Sequence, residues 1–311
     1  MTERPTVIST FAGCGGSALG YRMAGFRELL AVEWDANAVE TFRLNFPDVP
    51  VFHGDIADLS VDECLHLAGI GRGELDVFDG SPPCQGFSLA GKREVGDPRN
   101  SLFREYVRLI EGLQPRVFVF ENVRGLISGR MRGIYADIAK ALRGCGYETV
   151  TEVKVASYYG VPQSRERVII LGVRSDLGVA PSLPRPQTLP ISAGDALVGI
   201  QNDPNEVQAL IEDAARRPHM NLWDRMDPGQ SGNDITGKNY FSLVKLHPAR
   251  PAPTLTKFEE NLGASGLMHW AEKRKLTVAE AKRLSSFPDS FQFAGSRSDA
   301  MARIGNCVPP L

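Results

Sequence analysis

Through residue 175 the sequence alternates short runs rich in β-branched and aromatic residues with segments of helix length. That alternation points to an α/β fold, a parallel sheet covered by helices. Strands are expected near residues 6–10, 28–33, 75–79, 117–121, 149–155 and 167–173. Between the third and fourth, Leu102, Phe103, Tyr106, Val107 and Ile110 fall on one helical stripe, with Ser101 placed to cap it. In an open sheet of this kind, ligands sit beyond the carboxyl ends of the strands, so those ends are where functional residues are sought.

The texture changes at Pro181. Four prolines, Pro181, Pro184, Pro186 and Pro190, fall within ten residues and are followed by Asn-, Asp- and Gly-rich stretches with little periodicity up to about Gly266. Order returns at 276–284, where Thr277 and Glu280 have capping-box spacing and Pro288 follows Phe287. We therefore expect a large domain over 1–180, a small loop-rich domain over 181–270, and a return segment, 271–311, packing on the large one. A chain of 311 residues has room for both.

Composition excludes several classes. Apolar runs such as 116–120 and 168–173 are far short of the ~18 residues that cross a bilayer, and no charged leader opens the sequence. Five cysteines, an odd number without Cys-x-x-Cys spacing, encode neither a disulfide framework nor a metal site. A cytoplasmic protein is expected. The net charge of −2 gives no sign of a polyanion partner, so any nucleic-acid face must be a local arrangement.

Four constellations stand at or after strand ends. Phe11-Ala-Gly13-Cys14-Gly15-Gly16 follows the first strand, where glycines let backbone approach a ligand and the next helix favours an anionic group. Glu33 closes the second strand 20 residues after Gly13, where an acid can reach ribose hydroxyls. This fits a tight turn, a dinucleotide or S-adenosylmethionine equally well. Ser81-Pro82-Pro83-Cys84-Gln85 follows the strand ending at Asp79; a lone cysteine is usually a small buried hydrophobe, so its neighbours must decide its role. Glu121 ends a strongly apolar strand, a costly place for a carboxylate without a partner or a task. In Gln163-Ser-Arg165-Glu-Arg167, strand alternation puts both arginines on one face, fit to orient a carboxylate, a base carbonyl or a phosphate.

In motif order as well as in single motifs, the sequence resembles the DNA cytosine-5 methyltransferases of bacterial restriction-modification systems. The glycine loop looks like their cofactor loop, with Phe11, Gly13, Cys14, Gly15 and Gly16 in it. Glu33 and Trp34 look like the ribose and adenine contacts, Asp55 and Ile56 like the adenine element, and Pro82-Pro83-Cys84 like the catalytic loop. Glu121-Asn122-Val123 resembles the base-binding carboxylate motif and Gln163-x-Arg165-x-Arg167 the paired-arginine motif. Arg283-Leu-Ser-Ser-Phe-Pro288 and Gly305-Asn306-x-Val308 resemble the closing motifs, the latter with cofactor contacts at Asn306 and Val308. The motifs span residues 11 to 308; the family pattern usually continues into a further helix, whereas this sequence ends at Leu311.

The resemblance implies an S-adenosylmethionine-dependent, Rossmann-like large domain with a small target recognition domain, and methyl transfer to C5 of a cytosine flipped out of duplex DNA. C5 is a poor nucleophile, so Cys84 first adds to C6. Glu121, an acid whose pKa burial would raise, relieves charge at N3. Arg165 contacts the base carbonyl, while Arg167 supports loop geometry. Ser88, Lys92, Arg93 and Arg99 lie in a lid facing phosphates, and Tyr240 and Thr254 face DNA in the small domain. A monomer is expected, with a cognate restriction endonuclease as possible companion. The rival is a tRNA cytosine-5 methyltransferase, disfavoured because its Cys-Phe-Thr tripeptide is absent. A nicotinamide oxidoreductase leaves Cys84, Glu121 and the arginines without roles, and a non-catalytic DNA-binding relative leaves the intact catalytic positions unexplained.

Overall fold

The computed structural model describes residues 4–83, 102–237, 240, 242–257 and 265–311. They form two compact units, one of residues up to 154 together with 166–185, the other of 155–165 together with 186–311.

The first unit is built on seven strands: β1 (Thr6–Thr10), β2 (Arg27–Glu33), β3 (Val51–His53), β4 (Val77–Gly80), β5 (Val117–Val123), β6 (Tyr147–Val155) and β7 (Glu166–Arg174). Their order in the sheet is β3-β2-β1-β4-β5-β7-β6. The pairs from β3 to β5 are parallel, as expected, but β7 runs antiparallel to β5. The six anticipated strands are present, shifted by up to two residues, and β3 is an addition of three residues.

Helices α1 (Gly16–Met23), α2 (Ala36–Asn45), α3 (Val61–Ala68), α4 (Leu102–Leu113) and α5 (Arg132–Gly144) belong to this unit. Asp35 caps α2 by accepting the Ala38 amide at 2.9 Å, and Ser60 caps α3 by accepting that of Glu63 at 3.1 Å. In α4, Tyr106, Leu109, Ile110 and Leu113 are buried, and Leu102, Phe103 and Val107 pack against the same core from its edge. The Ser101 cap lies outside the described residues. Phe78, Phe118 and Phe120 of the central strands meet α4 in one cluster.

The second unit holds α6 (Ala193–Ala196), α7 (Pro204–Arg216), α8 (Gly232–Thr236), α9 (Val278–Leu284), α10 (Arg297–Asn306) and a two-stranded parallel sheet of β8 (Leu243–Lys245) and β9 (Gly266–Met268). Residues 271–311 share its core: Leu276, Ala281, Leu284, Met301 and Ile304 form one cluster with Ala193, Leu246, Leu255 and Leu267. The packing thus groups this segment with the second unit, whereas the sequence placed it on the large domain. Helix α7 also departs from the expected aperiodic stretch, with Asp203 as its cap and Leu210 and Ala214 buried.

An ion pair anchors this core. The fully buried Arg274 donates to both oxygens of Glu280, at 2.8 and 2.7 Å. Glu280 also accepts the Thr277 amide (2.9 Å) in the capping box of α9 and the Asn202 amide group (2.9 Å). Burial alone would raise the Glu280 carboxyl, but Arg274 and the Thr277 amide hold it below its ordinary value. Removing one partner strands the other charge. Glu280→Ala is therefore expected to cost about 3–5 kcal/mol in urea unfolding, and a loss under about 1 kcal/mol, the worth of a surface pair, would contradict this role.

Candidate active site

Beyond β1 the chain turns on three left-handed residues, Phe11 (φ 53°), Gly13 (φ 55°) and Gly15 (φ 93°). At Gly15 a side chain is excluded twice, by this backbone and because a Cβ would lie 2.5 Å from the Phe46 ring. At Gly13 a Cβ would meet nothing, so that side of the loop is open. Helix α1 then starts at Gly16 without a side-chain cap from Gly15, leaving amide donors of its first turn for an outside acceptor. Cys14 is buried.

Glu33 ends β2 against this loop. Its carboxylate accepts three backbone amides, Gly13 at 2.8 Å and Trp34 and Asp35 at 2.9 Å each. Burial raises its pKa, and those amides oppose the rise. The next residue, Trp34, is 76% exposed, an open aromatic face beside a fixed carboxylate. Asp55 is exposed and accepts the Ala57 amide at 2.9 Å, whereas the Ile56 side chain belongs to the core. Asn306 and Val308 lie in the second unit, Asn306 exposed at the end of α10 and Val308 half-buried.

The second group stands at the ends of β4, β5 and β7. The Tyr106 hydroxyl donates to the carbonyls of Phe78 (3.0 Å) and Val119 (2.9 Å), which pins β4 to β5. A Cβ on Gly80 would come within 2.4 Å of the Thr10 hydroxyl and 2.5 Å of the Tyr106 ring, so the chain passes there only as glycine. Asn122 donates its amide to the Pro82 carbonyl at 2.9 Å, fixing the buried start of the segment that leads to Cys84. Cys84 itself, with Ser88, Lys92, Arg93 and Arg99, lies outside the described residues.

Glu121 is buried and pairs with Arg167 Nε at 2.8 Å. Arg165 is employed otherwise: buried in the second unit, it donates through Nη1 to the carbonyls of Leu255 and Gly305, both at 3.2 Å. The arginine at the carboxylate is therefore Arg167, and Arg165 braces backbone, the reverse of the roles expected from sequence. Gln163 braces the same segment, accepting the Leu255 amide (3.1 Å) and donating to Leu284 O and Ser285 Oγ. Of the expected DNA contacts, Thr254 has its hydroxyl 3.4 Å from Ser164 O, and Tyr240 is half-buried against Gly232.

Two acids went unnoticed in the sequence. Burial pushes Asp79 up to about 7, helped by the charge of Glu121 and opposed by hydrogen bonds from Ser17 and Tyr21. Burial likewise pushes Glu28 up to about 8, against the neighbouring Ser9 hydroxyl; both Glu28 carboxylate oxygens are shut from solvent. The only signal available was an acid inside an apolar strand.

Comparison with known proteins agrees with this geometry. A candidate DNA modification methyltransferase encoded within an E. coli prophage superposes with a TM-score of 0.79 at 26% identity, covering 98% of this chain and 95% of that one. The S. pombe Dnmt2 methyltransferase shares the fold at a TM-score of 0.68 and 18% identity, over 99% and 95% of the two chains. Sheet order, glycine loop and strand-end acid together define an S-adenosylmethionine-dependent methyltransferase of Rossmann-like fold. The family model for C-5 cytosine-specific DNA methylase matches residues 5–311, and the chain belongs to that family. Type II methyltransferase M.XorII of Xanthomonas oryzae pv. oryzae is 33% identical, over 99% of this chain and 82% of its own length. Type II methyltransferase M1.HphI of Haemophilus parahaemolyticus is 34% identical, over 98% and 84%. The enzyme is thus a DNA cytosine-5 methyltransferase of the restriction-modification type. Among the described residues, no helix is long and apolar enough to cross a membrane.

The Glu28 carboxyl has a thermodynamic consequence. Its folded pKa of about 8 lies above the ordinary 4.5, so between those values the folded protein keeps a proton that the unfolded chain has released. Stability then falls as pH rises through this window and levels off above it. Glu28→Gln should remove about 2–5 kcal/mol of that decline, measured as urea unfolding at both ends of the window. Equal declines in variant and wild type would refute the assignment.

Proposed function

We propose that the enzyme methylates C5 of a cytosine flipped out of duplex DNA, through a covalent bond from Cys84 to C6. The observation that carries this reading is the Glu121–Arg167 pair at the ends of β5 and β7, beside a Pro82 held in place by Asn122. A flipped base set there meets an acid for N3 and a guanidinium for its carbonyl. Cys84 Sγ adds to C6, the ring becomes nucleophilic at C5, and loss of the C5 proton after methylation allows Sγ to be eliminated. Arg165, on this reading, holds the Leu255 segment rather than the base.

S-adenosylmethionine supplies an electrophilic methyl group when bound. The open side of Gly13, the uncapped turn at Gly15–Gly16, the fixed Glu33 carboxylate and the exposed Trp34 ring fit its carboxylate, ribose and adenine, with Asp55 at the adenine edge. Phe11, Cys14, Ile56, Pro82, Asn306 and Val308 are assigned to the same cofactor by motif alone. Ser88, Lys92, Arg93 and Arg99 are assigned to phosphates, Tyr240 and Thr254 to the target site, and residues 181–270 to target recognition. We further assign the enzyme to the cytoplasm as a monomer, alongside an endonuclease of the same target. DNA is favoured over tRNA by the two Type II relatives.

Fluorine at C5 cannot leave as a cation, so duplex DNA with 5-fluorocytosine in the target site should trap the enzyme, with cofactor, as an adduct stable to denaturing electrophoresis. Cys84→Ala should give none and Cys14→Ala should still give it. Trapping on tRNA alone, or trapping that survives loss of Cys84, overturns the proposal. Separately, Glu33→Ala should weaken cofactor binding by about 1.5–3 kcal/mol in calorimetry; an unchanged Kd removes Glu33 from the cofactor site.

A further inference from the structure

One face of the first unit's sheet carries acids in a row. Ser9 of β1 stands opposite Asp79 of β4, which stands opposite Val119 of β5. Side chains alternate along a strand, so Glu121, two residues beyond Val119, projects to the same face as Asp79. Glu28 of β2, opposite Val7, shares that face as well. Helix α1 adds Ser17 and Tyr21, both hydrogen-bonded to the Asp79 carboxyl, the Tyr21 hydroxyl at 3.3 Å from Oδ1. The Asp79 main-chain carbonyl accepts the Thr10 hydroxyl at 3.0 Å.

The charged and titratable groups around Asp79 are therefore Glu28 from β2, Tyr21 from α1, Tyr106 from α4 and Glu121 from β5, with Arg167 of β7 behind Glu121. The described groups facing Asp79 include no cation; the arginine of this site is committed to Glu121. A second buried acid here weakens the sheet unless it acts on something.

If Glu121 is to give a proton to the base, Arg167 works against it, since a guanidinium at 2.8 Å favours the carboxylate. Two carboxylates on one buried face repel each other, so their protons leave in two separated steps that belong to the pair. We propose that Asp79 is a positioning residue for this proton: Asp79 and Glu121 share a single proton across neutral pH, and Asp79 thereby keeps Glu121 protonated against the pull of Arg167. The inference rests on the reading of Glu121 as the acid.

Single-turnover methyl transfer to prebound duplex DNA, at saturating S-adenosylmethionine, is to be followed across neutral and alkaline pH in the wild type and in Asp79→Asn. The neutral amide removes the like charge, so the alkaline limb should move to lower pH by about one pH unit, the order of a like-charge effect at short range. A purely structural role would lower the rate at every pH and leave the limb in place, and that result overturns the proposal. A second measurement needs no Asp79 variant. The ¹³C carboxyl resonance of Glu121, assigned by its loss in Glu121→Gln, should titrate in the wild type with two inflections, and a single inflection overturns the coupling. Failure of the wild type to methylate DNA at any pH would instead remove the reading of function, while the titration still judges whether the two carboxyls share a proton.

Discussion

The candidate site hangs on the register of three neighbouring parallel strands, β1, β4 and β5. Because they run the same way, their carboxyl ends open on one edge, and the residues following them are delivered side by side. That register is held from above by a single hydroxyl, Tyr106, which donates to a carbonyl of each of two strands. Close approach of its ring demands glycine at position 80, and the next residues are free to turn toward Pro82 and Cys84. A shift of one residue in β5 would send Glu121 to the opposite face, away from Asp79 and Arg167. Packing of one tyrosine and chemistry of one carboxylate are thus the same constraint.

The same logic explains why much of the fold was legible. Strands buried on both faces read as nearly continuous apolar runs, and 117–120 or 168–171 can hardly be anything else. What alternation cannot encode is direction: the residues of β7 would pack equally well parallel or antiparallel to β5, and the intervening excursion of 155–165 into the other unit decides it. Strand β3 is three residues long, too short for a period to register. Helix α7 carries only Val207, Leu210, Ile211 and Ala214 as apolar residues among amides and acids, and its order comes from its cap and from neighbours distant in sequence.

Buried acids mark the limit of the sequence more sharply. Glu280 and Glu28 are both shut from solvent at the carboxyl group, yet one is held below its ordinary pKa and the other driven far above it. The difference lies in the company: Glu280 has a bidentate arginine six residues away and an amide three residues away, a local device with a recognisable capping-box spacing. Glu28 and Asp79 meet across strands and a helix, and no spacing along the chain announces the meeting. Glu33 stands between these cases, since its three amide donors come partly from its own turn and partly from the glycine loop 20 residues earlier. The end of a strand was readable as a place for an acid; the charge state of that acid was not.

The paired-arginine motif shows how misleading regular spacing can be. Gln163, Arg165 and Arg167 alternate as if on one strand, and alternation would give the arginines a common face and interchangeable roles. The chain changes units between Arg165 and Glu166, where β7 begins. Gln163 and Arg165 therefore spend their polar groups on the backbone of Leu255, Leu284 and Gly305, while Arg167, the second residue of β7, reaches Glu121. Gly305 belongs to this arrangement for a steric reason, because a Cβ there would lie 2.2 Å from the Thr256 carbonyl carbon. Two of the sequence motifs, Gln163-x-Arg165 and Gly305-Asn306, are thus joined by backbone packing in the second unit, and only the last arginine remains for the carboxylate. A guanidinium can serve a base or brace a loop with the same donors; which it does is settled by where the chain crosses from one unit to the other.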